Sequence, residues 1–534
     1  TSDATKGGAF KVSLQSWINN PPQAILSTSQ AICQGVIEAC KISGLRIPED
    51  ICLLSLGVDN WNTSSFYPNI IRTSRPAYML AMQGCQALIN LIEGSEEPEN
   101  RFHLFRDSIL DYPLRLPMPR NLNLEKADLS IGTLNIACTE LPTMQAIEAV
   151  SLDFYRKYHL RLHFHVMKFH DLFAVIQEDS HRSTPIYDIY LYDSSWFQYL
   201  LHTDCLKDLT DDVYTLPEMR RYFVERNLEN CSDGQKIYGF PVVGGTQFLL
   251  YRRDLFSDPD LCQAYKRDHH ISLRPPVTWK EFNAIARFFT KKFNPGSPTA
   301  YGTAIATGLN EELALEFEPR LWSHGGSFFD NHGHFCMNSP QNARAVSNLV
   351  EALQYSQPDL YSNQDVFAEF SKGNVAMIVS FTEYAARIQS QSHSEYLYKC
   401  GYAMIPGRTP VNVGWHFGVS PNCQKMPYIT RFFHWLHGRH NSYYMSILSG
   451  ASALEYPYKN HELKKLYPWI DLTADAMEVC RSRIYPLKTQ NGYLRPNQFE
   501  AAMCDELRKL PQSTTAVSQC LDNIQQNTLR MMIR

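Results

Sequence analysis

The 534-residue sequence has no uninterrupted apolar run close to the roughly 18 residues that a membrane-crossing helix needs, which excludes a helical span. It has no excess of one charge either. Its 50 Lys and Arg against 54 Asp and Glu leave −4, so nothing global draws the chain to nucleic acid or anionic lipid. Its 14 cysteines form no C-x-x-C pair, and G-x-S-x-G, H-E-x-x-H, Walker and G-x-G-x-x-G signatures are all missing. Neither an enzyme nor a cofactor is the expectation.

What is present is a large, ordinary globular composition: 44% hydrophobic and 19% charged residues. The length exceeds one compact core and predicts two or three units. Aromatics are plentiful, with 29 Tyr, 28 Phe and 8 Trp, which suits ring stacking on flat ligands and suits a large core equally. Cys33 and Cys40 lie in a helical pattern, and Cys52 and Cys138 in apolar strand-like runs. Scattered like this, they read as free thiols in a reducing, cytoplasmic setting. The opening Thr1-Ser-Asp-Ala-Thr-Lys-Gly-Gly8 does not read as a signal peptide and looks like the middle of a longer chain.

From Gln23 a short strand pattern leads into a helical one, Gln30 to Gly44, with Gly44 as C-cap; a buried strand pattern follows up to Gly57. Strand, helix and strand in about 35 residues predict a parallel unit. Pro68-Asn-Ile-Ile-Arg-Thr-Ser-Arg-Pro76 then precedes an amphipathic helix ending at Gly94. Through Ser43-Gly44-Leu-Arg-Ile-Pro-Glu-Asp-Ile51 and the Pro68–Pro76 stretch, residues 1–116 resemble the C-terminal half of the effector-binding core of LacI-type transcriptional regulators. The sequence departs from that family at Ser29-Gln30, where an Asn-Asp pair is usual. The resemblance implies a partial α/β sensor lobe and homodimer pairing through residues 7–116. DNA would be read only by a helix-turn-helix that this chain does not contain.

Pro113, Pro117 and Pro119 break helices, and residues 117–130 read as a linker. Beyond it, Leu134–Glu140, Leu160–Val166 and Tyr187–Tyr192 are strand patterns separated by helical ones. Three βα units in succession predict an open parallel sheet, with ligands beyond the strand ends. Further on come the strand pattern Lys236–Asp254, a capping box at Thr278 and Glu281, and the runs Trp322–Asp330, Phe370–Ile378 and Gly414–Pro421. In this order the pieces resemble family 1 solute-binding proteins of the maltose-binding type, over residues 131–534. The resemblance implies a two-lobed, type II periplasmic-binding-protein-like α/β fold. One lobe would hold about 131–245 plus 411–450 and the other about 247–405, closing by a hinge on a mono- or oligosaccharide.

A sugar site needs carboxylates and amides for hydroxyls and an aromatic ring for the C–H face. Candidates at strand ends and crossing loops are Glu140, Asp193, Trp196, Thr246, Trp322, Glu383, Tyr384, Trp415 and His416. Each has a plain structural alternative: Trp196 and Trp322 as core anchors, Glu383 as a helix cap, His416 as a satisfied buried histidine. Trp415 matches a position where the family often supplies a ligand aromatic. Trp279 and Trp435 sit in helical patterns and read as core. His163-Phe-His165 and His332-Gly-His334-Phe-Cys336 invite a metal reading, but the first lacks a third ligand and the second lies in a Gly-rich turn; no metal is expected. Two biological readings follow: a cytoplasmic sugar-sensing regulator, or an extracytoplasmic, membrane-anchored receptor delivering a sugar to an ABC permease.

Overall fold

The computed structural model describes residues 5–17, 21–56, 70–74, 82, 85–86, 88–90, 92–93, 108–111, 132–214, 223, 225–382, 384, 399–483, 485, 487–490, 492–512 and 516–533. It divides into two compact units, residues 1–133 with 146–162, and residues 134–145 with 163–534.

In the first unit, helix α1 (Lys6–Trp17) is followed by β1 (Ala24–Ser27), α2 (Gln30–Ser43), β2 (Cys52–Ser55), β3 (Ile71–Ser74) and β4 (Ser108–Asp111). The sheet order is β1-β2-β3-β4; β1, β2 and β3 are parallel and β4 is antiparallel, so the predicted strand–helix–strand unit is present. Ser29, one of the two residues that depart from the regulator pattern, caps α2 by accepting from the Ile32 N–H at 3.3 Å. Gly44 ends the helix at φ 68°, a conformation with no penalty for glycine. Gly35 is also required: a Cβ there would stand 2.2 Å from the Lys6 carbonyl oxygen on α1. The amphipathic helix expected up to Gly94 is described only in part, and the linker at 117–130 lies outside the described residues.

From Gly132 the chain forms β5 (Gly132–Cys138), α3 (Pro142–Tyr158), β6 (Leu160–Val166), α4 (Phe169–Ser180), β7 (Ile189–Asp193) and the thirteen-residue β8 (Phe240–Arg252). Next come α5 (Trp279–Phe288), α6 (Asn310–Ser323), α7 (Pro340–Leu353), β9 (Met377–Phe381), β10 (Cys400–Ala403), β11 (Val411–Val419), β12 (Arg481–Ser482), α8 (Pro496–Lys509) and α9 (Val517–Ile533). The main sheet has the order β9-β8-β11-β7-β5-β6, with β10 beside β8 and β12 beside β11. Strands β5 and β7 are parallel, as expected, but β11 runs antiparallel to both of its neighbours, β7 and β8. The sheet is therefore mixed, because β11 returns through its middle and β9 and β10 pair antiparallel with β8.

Strand β8 changes partners midway. Phe240 to Thr246 pair with β11, and Gln247 to Tyr251 pair with β9. At the handover the buried Thr382 hydroxyl accepts from the Thr246 N–H at 3.1 Å and donates to the Thr246 carbonyl at 3.0 Å. Thr246 Oγ1 donates to the Val411 carbonyl at 3.1 Å. Gln247 completes the set, donating to Leu315 O at 2.8 Å and accepting from Val411 N at 3.0 Å.

Apolar faces of α6, α7, α8 and α9 meet around Phe317, Leu321, Leu349, Phe499 and Leu521. Trp279 lies in a second core with Phe282 and Phe289, and Trp435 is also buried. The Thr278 cap forms, accepting from Glu281 N at 3.2 Å, but the Glu281 carboxylate bonds Val277 N instead of Thr278 N, so the reciprocal half is shifted by one residue. No helix among the described residues is long and apolar enough to cross a membrane.

Thr382→Val removes the hydroxyl that satisfies both main-chain groups of Thr246. Urea unfolding is expected to show a loss of about 1–3 kcal/mol, with Thr382→Ser close to wild type. Equal stability of all three proteins would contradict the bonding described here.

Candidate functional site

The antiparallel register of β7, β11 and β8 decides which side chains meet. Trp415 lies opposite Asp193 on β7 and opposite Val243 on β8, so these three share one face of the sheet. His416 lies opposite Tyr192 and projects from the other face. Beyond the end of β7, a 3-10 turn over Ser194–Trp196 brings Trp196 to Trp415, with ring centroids 6.2 Å apart and edge-on. Phe169, at the start of α4, completes the group at 4.6 Å from Trp196 and 5.9 Å from Trp415. Three of the nine candidates, Asp193, Trp196 and Trp415, therefore come together as a carboxylate beside two indoles.

Asp193 is buried and doubly bonded. It caps the 3-10 turn through Ser195 N at 2.8 Å and accepts from Arg483 Nη2 at 2.9 Å. Arg483 follows β12, which pairs with the start of β11, and its Nη1 donates to Glu500 of α8 at 3.2 Å. Tyr485 donates its hydroxyl to Glu318 of α6. Asp193, Glu318, Arg483 and Glu500 are all at most 3% exposed.

Burial pushes the Glu318 carboxyl up to about 7 against the opposing Arg483 charge and Tyr485 bond, with Asp193 adding to the rise. Burial pushes Glu500 up to about 8, Arg483 again opposing, while Glu318 and Asp193 raise it further. For Arg483, burial acts downward, but Asp193, Tyr485, Glu500 and Glu318 together outweigh it and hold the guanidinium charged. Glu318 Oε2, Arg483 Nε and Ser194 Oγ have no hydrogen-bond partner among the described residues.

The remaining candidates lie elsewhere. The hydroxyl of Thr246 is engaged at the β8 handover. His416 is fully buried, stacks on Tyr192 at 5.4 Å, and has Nε2 2.9 Å from the Asn227 carbonyl. Burial lowers its pKa to about 4 despite that bond, so the ring is neutral. Trp322 packs beside Leu315, Phe381 and Val411, with the exposed Arg481 guanidinium 6.0 Å above its ring. Tyr384 sits 6.0 Å from Phe367 and 6.4 Å from Phe381. Glu140 is exposed, two residues past β5, and accepts from Gln145 Nε2 at 3.3 Å. Glu383 lies outside the described residues.

At the histidine motifs, the His163 and His165 rings are 4.2 Å apart, and His334 Nδ1 is 3.4 Å from Asp330 Oδ2. Among the described residues no group of three or more His, Cys, Asp or Glu is placed to hold a metal ion. Sequence reasoning missed Glu318, Arg483, Tyr485 and Glu500. The available signal was a charged residue inside an apolar helical run, as at Phe317-Glu318-Pro319, and the alternation Arg483-Ile-Tyr485.

Between the ordinary carboxyl value of 4.5 and about 8, folded Glu500 keeps a proton that the unfolded chain has released. Its contribution to stability therefore falls as pH rises through that window. Glu500→Gln removes the titration, so the stability of the variant relative to wild type should improve by about 1 kcal/mol or more from pH ~5 to pH ~9. A difference that stays flat or moves the other way in denaturant titrations would contradict this assignment.

Residues 168–434 match the family described as bacterial extracellular solute-binding protein, and residues 2–106 match that of the periplasmic binding protein-like domain. An ABC transporter solute-binding protein from Agrobacterium radiobacter K84, in complex with ribitol, is similar in structure at TM-score 0.64 and 20% identity, over 76% of this chain and 99% of that one. Maltose-bound MalE3 from T. maritima is similar at TM-score 0.62 and 17% identity, over 75% of this chain and 100% of that one. The fold is thus the two-lobed α/β fold of solute-binding proteins.

Short stretches also match two regulators. The probable HTH-type transcriptional regulator EndR of Paenibacillus polymyxa is 32% identical over 81 residues, 15% of this chain and 23% of that protein. The probable HTH-type transcriptional repressor ExuR of Bacillus subtilis (strain 168) is 30% identical over 96 residues, 17% of this chain and 28% of that protein. The chain spans about a quarter of the length of these relatives. Because the solute-binding match takes in half of the 534 residues and the fold agrees with it, the chain belongs to the bacterial extracellular solute-binding protein family.

Proposed function

We propose that this chain is a carbohydrate-binding sensor, in which a LacI-like regulator core is joined to a solute-binding domain that closes on a mono- or oligosaccharide. The observation that carries the reading is the register pair of Asp193 and Trp415 with Trp196 beside it. A buried acceptor next to indole rings is the combination that a sugar's hydroxyls and C–H face require. Structural relatives bound to ribitol, maltose and D-mannitol support a polyhydroxylated ligand.

Residues 1–116 would be the regulator-like segment, 117–130 the linker, and 131–534 the binding domain. Its lobes would be about 131–245 plus 411–450 and about 247–405. The change of partners at Thr246 and Gln247 is where β8 would act as a hinge strand. A ligand touching both lobes favours the closed state by its differential affinity for it. The chain binds and does not catalyse. It pairs as a homodimer through residues 7–116, and DNA is reached through a helix-turn-helix outside these residues.

The match at 2–106 and the 14 free thiols favour a cytoplasmic regulator. The match at 168–434 equally suits an extracytoplasmic receptor for an ABC permease, which is the second reading. A thermal-shift panel of ribitol, D-mannitol and maltose should find a stabilising ligand. Trp415→Phe, which keeps the core filled, should then weaken binding about fivefold with little change in melting temperature. Stabilisation by amino acids or metal salts alone would overturn the sugar reading, and unchanged affinity in the variant would remove Trp415 from the site.

A further inference from the structure

Trp415 and Trp196 are 6% and 3% exposed, so as they stand neither indole offers an open face to a ligand. The ring packed against both is Phe169. Its centroid lies 4.6 Å from Trp196 at 53° between planes, and 5.9 Å from Trp415 at 85°, close to edge-on. Phe169 is itself only partly buried, and its neighbours Lys168 and His170 are exposed. It is the outer ring of the group, and the two indoles are the inner ones.

Phe169 is held more loosely than the ring one turn further along α4. Phe173 is 4% exposed and packs on Trp196 at 5.1 Å and on Tyr199 at 5.5 Å, so it anchors the helix against the segment that follows β7. The start of α4 is different. Lys168, at the N-cap, makes no side-chain cap bond among the described residues, so the first turn lacks the bond that commonly fixes a helix start. His170 Nε2 lies 3.9 Å from Glu311 Oε1 on α6, a long contact from an exposed ring. From such a position a phenyl ring can change rotamer while Phe173 keeps the helix in place.

Building on the sugar-binding reading, we propose that Phe169 is a plug: its ring fills the place against Trp196 and Trp415 where the apolar face of a sugar ring packs, and a ligand binds by turning it out. A phenyl ring and a pyranose ring are alike in size, and an aromatic face packs against either. Binding then exchanges one set of indole contacts for another. The apparent affinity is lowered by the small fraction of molecules in which Phe169 is already turned out. Phe169 therefore sets affinity by competing with the ligand.

Titration calorimetry of the full chain with maltose, D-glucose, ribitol and D-mannitol tests the proposal, with acrylamide quenching of tryptophan emission measured without ligand. Phe169→Ala is expected to tighten binding of a sugar about fivefold or more and to raise the quenching. That rise should shrink when Trp415→Phe is added. Phe169→Leu, which keeps the turn covered by a smaller apolar group, should fall between wild type and Phe169→Ala. His170→Ala, which leaves the ring and cuts the contact with Glu311, should also tighten binding. Weaker binding in Phe169→Ala at an unchanged melting temperature would make Phe169 a ligand contact and overturn the plug. Unchanged affinity in Phe169→Ala and His170→Ala would overturn it too, whether or not quenching rises, and would leave sugar binding intact. Failure of all four compounds with wild type and every variant would overturn the sugar-binding reading itself.

Discussion

Strand β11 lies between β7 and β8, and its antiparallel register sets Trp415 opposite Asp193 on one side and Val243 on the other. Side chains alternate along a strand, so a slip of one residue would exchange Trp415 for Gly414 or His416 on the face that carries Asp193. The register is held at one end by Thr246, Gln247 and Thr382, whose side chains bond main-chain groups where β8 leaves β11 for β9. Those bonds are buried, so losing one strands polar groups away from water. The same few residues that fix the register also mark the point where one strand passes between two sets of partners.

On that frame Arg483 joins distant parts of the chain. Arg483 lies 290 residues from Asp193 in sequence and ties the end of β7 to α8. A buried ion pair of this kind contributes little net stability against apolar packing, because desolvation offsets the attraction. Removing one partner is a different matter, since it leaves an uncompensated charge in the interior. Arg483 therefore links segments far apart in sequence more than it adds net stability.

Much of the fold was legible in the sequence. The strand–helix–strand pattern of residues 23–57, the Gly44 cap and the βα alternation after residue 132 depend on local periodicity and turn chemistry, and the structure shows each of them. The sequence places Asp193 and Trp196 at the end of a strand pattern, and the structure has Asp193 as the last residue of β7 with Trp196 in the turn that follows. The reversed direction of β11 could not be read there, since strand order depends on pairings across more than a hundred residues. His416 is adjacent to Trp415 in sequence, but neighbours on a strand project from opposite faces, so it lies opposite Tyr192 and away from Asp193. Thr246 lies in a crossing segment as expected, but its hydroxyl is engaged by the Val411 carbonyl at the handover. Arg483, Glu318 and Glu500 come from separate segments, and only tertiary packing shows that they share one buried cluster.

The central claim is that a sugar is held where β7 and β11 meet, against Asp193, Trp196 and Trp415, with the Arg483 cluster behind Asp193. Hydrogen–deuterium exchange on the full chain, with and without saturating maltose or D-mannitol, tests it most directly. The account predicts added protection in peptides covering residues 189–197, 411–417 and 481–485, with little change in peptides covering 5–56. Protection confined to 5–56, or absent from all of these peptides while the ligand is bound, would contradict it.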